Sequence, residues 1–294
     1  MNKLRAARGA AFRTGGTAFG TGGAAFGAGG ARFSDAGIYF YGAAMAAFGI
    51  IELSIRNFLV SEIQVPEGVP LRGALVILSI AVFLFAAVAI FFRFRRQLAL
   101  LLVAGMYLIL LLTVHLPALV ANIYNGGDWA VTFEGIMIGS GAIIIAAQLP
   151  NDSGLSGRWL RIIQLSAVVG HYLFASALFL FAIQHIIYFD YIVTLIPAWM
   201  PVKVALAYLV IAAYILSGLS FVIGRGVGLA AFWLGVMFGL WVILLHAPRA
   251  IGKWKVEAEW ASLFVALAVC GVSFYICRRE TVSQPDGLIV LPHV

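Results

Sequence analysis

The sequence predicts an all-α integral membrane protein, a polytopic bundle of eight transmembrane helices arranged as two parallel four-helix repeats. Three observations predict it. Of 294 residues, 63% are hydrophobic and 11% charged, against about half and a quarter in a soluble domain. The apolar residues collect into eight runs, each near the length that crosses a hydrocarbon layer roughly 30 Å thick. Residues of distinctive chemistry then recur at one constant offset, 131 positions, as from Pro66 to Pro197. Only helices or closed barrels satisfy backbone groups in lipid, and runs this long and continuous exclude barrel strands.

Residues 1–34 stand apart. Phe12, Phe19, Phe26 and Phe33 recur every seven residues, followed by the glycine pairs Gly15–Gly16, Gly22–Gly23 and Gly29–Gly30. Glycine pairs oppose helix formation, so this stretch reads as a disordered basic Gly/Ala/Arg-rich tail. An acid-poor organelle presequence is the alternative. The first membrane unit is expected over 35–150, with spans at 37–59, 72–92, 97–120 and 130–149. The second is expected over 158–279, with spans at 160–188, 202–223, 227–248 and 259–277. A loose tail follows at 280–294. Prolines, charges and polar turns separate the runs: Pro66 and Pro70, Arg93/Arg95/Arg96, Asn122–Asp128, Pro150–Arg158, Pro197–Pro201, Arg225 and Arg249–Glu257.

Charge orients the bundle. With the N-terminus in the cytoplasm, the inner segments carry 13 of the 19 basic residues, which favours both termini inside. The six assigned outside are Arg56, Arg72, Lys203, Arg249, Lys253 and Lys255. The net charge of +7 thus serves orientation, and no basic–aromatic face points to nucleic acid. Cys270 and Cys277 lie seven positions apart in one run, roughly 10 Å along a helix, too far for a disulfide.

The repeat is carried by residues that chance does not align. Arg72 matches Lys203, Met106 matches Met237, and His115-Leu116-Pro117 matches His246-Ala247-Pro248. Asp128-Trp129-Ala130 matches Glu259-Trp260-Ala261, and Phe133 matches Phe264. Four spans per unit restore the starting orientation, so the units are expected to be parallel.

The second unit resembles the DoxX-like membrane proteins, which are four-helix proteins of about one unit's size. The resemblance rests on Phe181-Ala182-Ile183-Gln184-His185, on Ile196-Pro197-Ala198-Trp199-Met200-Pro201, on Gly218 and the turn at Arg225, and on Leu244-Leu245-His246-Ala247-Pro248 before Glu259-Trp260. It covers about 170–277. The first unit matches more loosely: Glu67-Gly68-Val69 replaces Ala198-Trp199-Met200, and Glu52 stands where the second unit has His185. The resemblance implies a redox setting in a membrane, including quinone-linked systems, and no particular reaction.

On this topology Glu52, His115, Asp128, Trp129, His185, His246, Glu259 and Trp260 all fall toward the outer leaflet. Three readings of this polar set remain. It is structural, with histidines donating to carbonyls freed by proline, tryptophans at the interface and acids at helix N-termini. Or it lines a pocket for a quinone head group, where a histidine and a carboxylate bind the carbonyls and accept protons. Or it docks a periplasmic redox partner. Glu134, one turn into the fourth span, has Val265 as its counterpart. His171 finds no second histidine at its depth for a haem. No phosphate loop, Cys-x-x-Cys, zinc spacing or nucleophile constellation occurs, so no metal is expected. Gly135, Gly139 and Gly141 read as packing glycines.

These observations lead to an accessory or anchoring component of a membrane redox system in a bacterial inner membrane. A quinone-binding oxidoreductase subunit and a small-molecule transporter are the alternatives.

Overall fold

The computed structural model describes residues 35–277 in full and the backbone alone of 20–34. The tail expected at 1–34 therefore lies outside the described residues up to position 19, as does the tail at 280–294; over 20–34 the backbone is already helical. Eight long helices follow: α1 (Gly20–Ile55, of which Asp35–Ile55 is span-like), α2 (Arg72–Phe91), α3 (Arg96–Ala121), α4 (Gly126–Gln148), α5 (Gly157–Ile187), α6 (Lys203–Ile223), α7 (Val227–Gly252) and α8 (Glu257–Ile276). A short helix, Phe189–Leu195, lies between α5 and α6. Among the described residues there is no strand. All eight long helices are long and apolar enough to cross a bilayer, and side chains such as Ile50, Ile77, Ile109 and Leu216 stand more than half exposed, as lipid-facing residues do. The chain is a multi-pass membrane protein.

The helix ends depart from the sequence reading at three places. α1 stops at Ile55, short of the expected residue 59. The Asn57 N–H closes on the Glu52 carbonyl at 3.3 Å, and the Asn57 side chain accepts from Phe58 N at 2.8 Å. The chain then folds back, and Phe58, Leu59 and Ile63 are buried. α4 starts at Gly126, four residues earlier than expected, where Asn125 accepts from Gly127 N at 3.0 Å as an N-cap. α7 runs past Pro248, because that proline falls at the start of a new turn, where no N–H is needed.

Paired positions 131 apart share backbone features that residue preference does not explain. Leu71 and Val202 are both left-handed (φ 56° and 49°), as are Arg93 and Gly224 (59° and 73°) and Arg95 and Gly226 (49° and 66°). A side chain there costs about 1–2 kcal/mol, so three such matches reflect shared geometry rather than glycine content. Residues Leu111–His115 and Val242–His246 each form a single π-helical turn, with Leu116 N bonded to Leu111 O and Ala247 N to Val242 O. Each His-x-Pro motif thus closes a π-turn, a distortion common at functional sites.

The helices pack in a closed circuit. α1 lies against α2, α2 against α3, and so on around to α8, which returns to α1; α4 and α8 also touch each other across the middle. Of the span residues, 67% in α4 and 78% in α8 are buried, against 33–44% in the other six. These two helices are the central pair. Small residues permit it: a Cβ on Gly141 of α4 would stand 2.3 Å from Val272 of α8, and Gly37 of α1 and Gly271 of α8 meet backbone to backbone. The circuit therefore encloses two compartments that share α4 and α8, one lined by α1–α3 and the other by α5–α7.

Candidate functional site

The two compartments have opposite chemistry. The α5–α7 side is aromatic and neutral. His185 binds the Phe181 carbonyl through Nδ1 at 2.8 Å, and its ring packs on Tyr214 (5.3 Å) and Trp241 (6.2 Å). His171 Nε2 binds Phe221 O at 2.9 Å, and its ring stacks on Phe221 at 4.8 Å. Cys270 Sγ donates to Gly235 O at 3.2 Å. Both cysteines are buried and outside any disulfide.

The α1–α3 side is acidic. Glu52 on α1 is fully buried, and its Oε1 accepts from Leu59 N at 3.2 Å, a bond made by the folded-back loop. Ser79 of α2 lies beside that carboxylate, in a geometry that leaves Ser79 Oγ and Glu52 Oε2 both unbonded. The same loop carries Glu62 inward, 6% exposed, until its carboxyl comes within hydrogen-bonding range of Glu134 on α4. Tyr107 of α3 lies within electrostatic reach of Glu52, Glu62 and Glu134. Glu257, at the first turn of α8, accepts from Ser61 Oγ at 2.9 Å and feels both Glu52 and Glu62.

Burial, and then the facing Glu134 carboxyl, push the Glu62 pKa well above the usual carboxylate range. The physics is simple. Two unit charges about 4 Å apart repel by roughly 4 kcal/mol at an effective dielectric of 20, and desolvation adds to that. No ion pair offsets it. Among the described residues the ion pairs both end on Glu259, from Arg249 (2.9 Å) and Lys253 (2.8 Å). Arg72, at the start of α2, commits its guanidinium to Asn57 Oδ1 (2.5 Å), Val65 O (3.4 Å) and the Phe58 ring.

The outer polar residues singled out in the sequence therefore do not form one group. Glu52 joins the acidic compartment. His115 is 2% exposed, and its Nε2 has no partner. It lies 3.9 Å from where a Cβ on Gly135 would stand. The expected donation from this nitrogen to a proline-freed carbonyl is not made. His246 keeps Nδ1 unbonded in the same way, next to Arg249 and Glu259. Glu259 is tied to two cations, which ill suits it to the proton-accepting role considered above. Asp128 sits in the first turn of α4 near His115, the helix-terminal position expected of it. Trp129 Nε1 donates to Ile123 O (2.8 Å) and Trp260 Nε1 to Trp254 O (3.0 Å); each ring stacks on the phenylalanine four residues on. His185 lies in the other compartment. Gly135 and Gly139 pack on Tyr107 and Gly141 on Val272, as packing glycines.

Glu62, Ser61, Ser79, Tyr107 and Glu257 were missed. Glu62 falls between the first two expected spans, 37–59 and 72–92. The available signal was its setting, Phe58-Leu59-Val60-Ser61-Glu62-Ile63, too apolar for a solvated turn.

A cleft opens at the seam between α1 and α8, with Glu257 in its lining. It has a volume of about 460 Å³ and runs between α1 (Ala47, Ile50, Ile51, Ser54, Ile55) and the start of α8 (Glu257, Trp260, Phe264), with Trp254 and Lys255 at its rim. Comparison with family models, with curated proteins and with solved structures finds no match.

Proposed function

We propose that this chain is a component of a redox system in a bacterial inner membrane, with both termini cytoplasmic, and that its α1–α8 cleft binds a quinone or quinol. The reading also takes the chain as a tandem duplication related to the DoxX-like proteins. The 131-residue offset supports this, in residues such as His115 and His246 and in the paired left-handed turns.

The cleft carries the functional reading. Its volume falls in the roughly 300–1,000 Å³ range of small-molecule sites. One wall is aliphatic, as a prenyl tail requires, and the other end presents two indole rings, an ammonium and a carboxyl. Lys255 lies 5.1 Å from the Trp254 ring, so a donor stands where a quinone carbonyl would. Glu257 is the only carboxyl lining the cleft and leads inward to the acidic compartment.

The test is a titration of the purified chain in detergent with a short-tailed quinone, read by quenching of tryptophan fluorescence. Ile51→Trp, which fills the aliphatic wall, is expected to weaken binding at least about tenfold, the effect of roughly 1.4 kcal/mol. Saturable binding that Ile51→Trp leaves unchanged would place the ligand elsewhere and defeat the proposal, and so would the absence of saturable quenching.

A further inference from the structure

An ionised carboxylate has no hydrogen to donate. Two carboxyls at hydrogen-bonding range are therefore joined by a proton or forced apart by their charge. Glu62 and Glu134 meet at that range with no cation paired to either among the described residues. Glu134 is half-buried on α4. One polar group beside Glu52 lacks a partner: Ser79 Oγ, 3% exposed, next to the free Oε2 of that carboxyl. Unbonded buried donors and acceptors are costly unless something binds there.

The cluster also has an exit. Ser61 adjoins Glu62 in the chain, and its hydroxyl donates to Glu257 Oε1 at 2.9 Å. Glu257 is half-buried and lines the outer cleft.

The other half of the molecule shows that the fold does not need these groups. At the strict offset of 131, Glu52, Glu62, Ser79, Tyr107 and Glu134 correspond to Ile183, Val193, Val210, Phe238 and Val265, with His185 two positions beyond the counterpart of Glu52. Each polar member has an apolar counterpart.

We propose that Glu62 and Glu134 hold one proton between them inside the bundle and exchange it with the outer face through Ser61 and Glu257. The ligand of this site is the proton, and the proposal stands whether or not a quinone occupies the cleft. The groups facing Glu62 are Glu134 from α4, Glu257 from α8 and Tyr107 from α3, and Tyr214 from α6 lies within reach of Glu134. None brings a positive charge. The proton therefore binds more tightly than to an ordinary carboxylate, and it leaves as pH rises.

Infrared spectroscopy of the full chain tests this. A Glu52→Gln background removes the other fully buried carboxyl. A carbonyl band from a protonated carboxyl is expected at neutral pH, fading as the solution becomes alkaline. Glu134→Gln removes the like charge and is expected to move that fading to lower pH. On transfer to heavy water the band shifts as the proton exchanges. Ser61→Ala and Glu257→Gln are expected to slow that shift by about tenfold, the loss of one hydrogen-bonded step. If Glu52→Gln fails to fold, the difference spectrum between the untouched chain and Glu62→Gln supplies the titration, because Glu52 is common to both. No band at neutral pH overturns the shared proton, as does a titration unmoved by Glu134→Gln. Exchange as fast in Ser61→Ala and Glu257→Gln as in the background overturns the path.

Discussion

The seam between α1 and α8 sets both the cleft and the Ser61–Glu257 bond, and one glycine pair sets the seam. A Cβ added at Gly271 would stand 2.5 Å from Gly37 O and 2.6 Å from Tyr41 N; one added at Gly37 would stand 2.5 Å from Gly271 O and 2.7 Å from Tyr275 N. These neighbours are main chain and cannot rotate away, so the helices must separate. Alanine in a helix interior is worth about 1 kcal/mol over glycine. Overpacking costs about 1–3 kcal/mol, and rigid backbone on both sides puts Gly271→Ala at about 3. The net loss is about 2 kcal/mol. Gly105 of α3 has nothing within 4 Å of the added atom, so Gly105→Ala should keep the whole propensity gain of about 1 kcal/mol. The two variants should differ by about 3 kcal/mol, roughly two powers of ten in the unfolding constant. Titration with a denaturing detergent in mixed micelles, followed by circular dichroism, measures the difference. The double variant Gly37→Ala/Gly271→Ala should lose less than the sum, because the second methyl enters a gap already opened. A Gly271→Ala protein as stable as Gly105→Ala would refute the argument from backbone contact.

Three other outcomes are expected. Glu259→Gln should destabilise by about 1–3 kcal/mol, as it leaves a half-exposed arginine without its partner, whereas Lys253→Ala should cost under about 1 kcal/mol because that lysine is 60% exposed; the same detergent titration ranks them, and the reverse order would count against a buried ion triad. Trp129→Phe and Trp260→Phe each remove one indole hydrogen bond to a carbonyl six residues back, so both should lose about 0.5–1.5 kcal/mol, and a clear inequality would show that the two sites are not alike. Burial pushes the Cys277 thiol up to about 11, so only about one thiol in a thousand is ionised at pH 8, and labelling by a water-soluble maleimide should be slow there and quicken steadily toward pH 11; fast labelling at pH 7 would contradict that burial.

The spans were legible because lipid imposes a coarse rule: twenty apolar residues in a row have few other homes. The helix starts at Arg72, Lys203 and Val227 lie within one residue of the expected ones. The π-turns were not legible as such, although His115-x-Pro117 and His246-x-Pro248 marked where they occur. Proline lacks an N–H, but whether the helix breaks, kinks or inserts a residue depends on its neighbours. The acidic compartment was hidden for a different reason. Glu52 and Glu134 were visible as charges within apolar runs, whereas Glu62 becomes an interior residue only because residues 56–71 fold back and bury Phe58, Leu59 and Ile63. Local pattern does not encode that reversal. The matching stretch after α5 takes another course, forming the helix Phe189–Leu195 with no buried residue.

That contrast bears on what the carboxyls are for. A buried, unpaired carboxyl costs several kcal/mol unless it is neutralised, and a bundle selected only to anchor something else has no reason to keep several. The α5–α7 compartment shows how the same helix arrangement fills its interior when nothing polar is required, with Tyr214, Phe238, Trp241 and a histidine bonded to its own helix. Packing alone would favour that solution on both sides. Glu62 and Glu134 instead meet across the folded-back loop and α4, and Glu257 lies within electrostatic reach of both Glu52 and Glu62. The energetic cost falls in one compartment and is avoided in the other. On the proposal above, the acidic group serves chemistry at the α1–α8 cleft rather than the stability of the bundle.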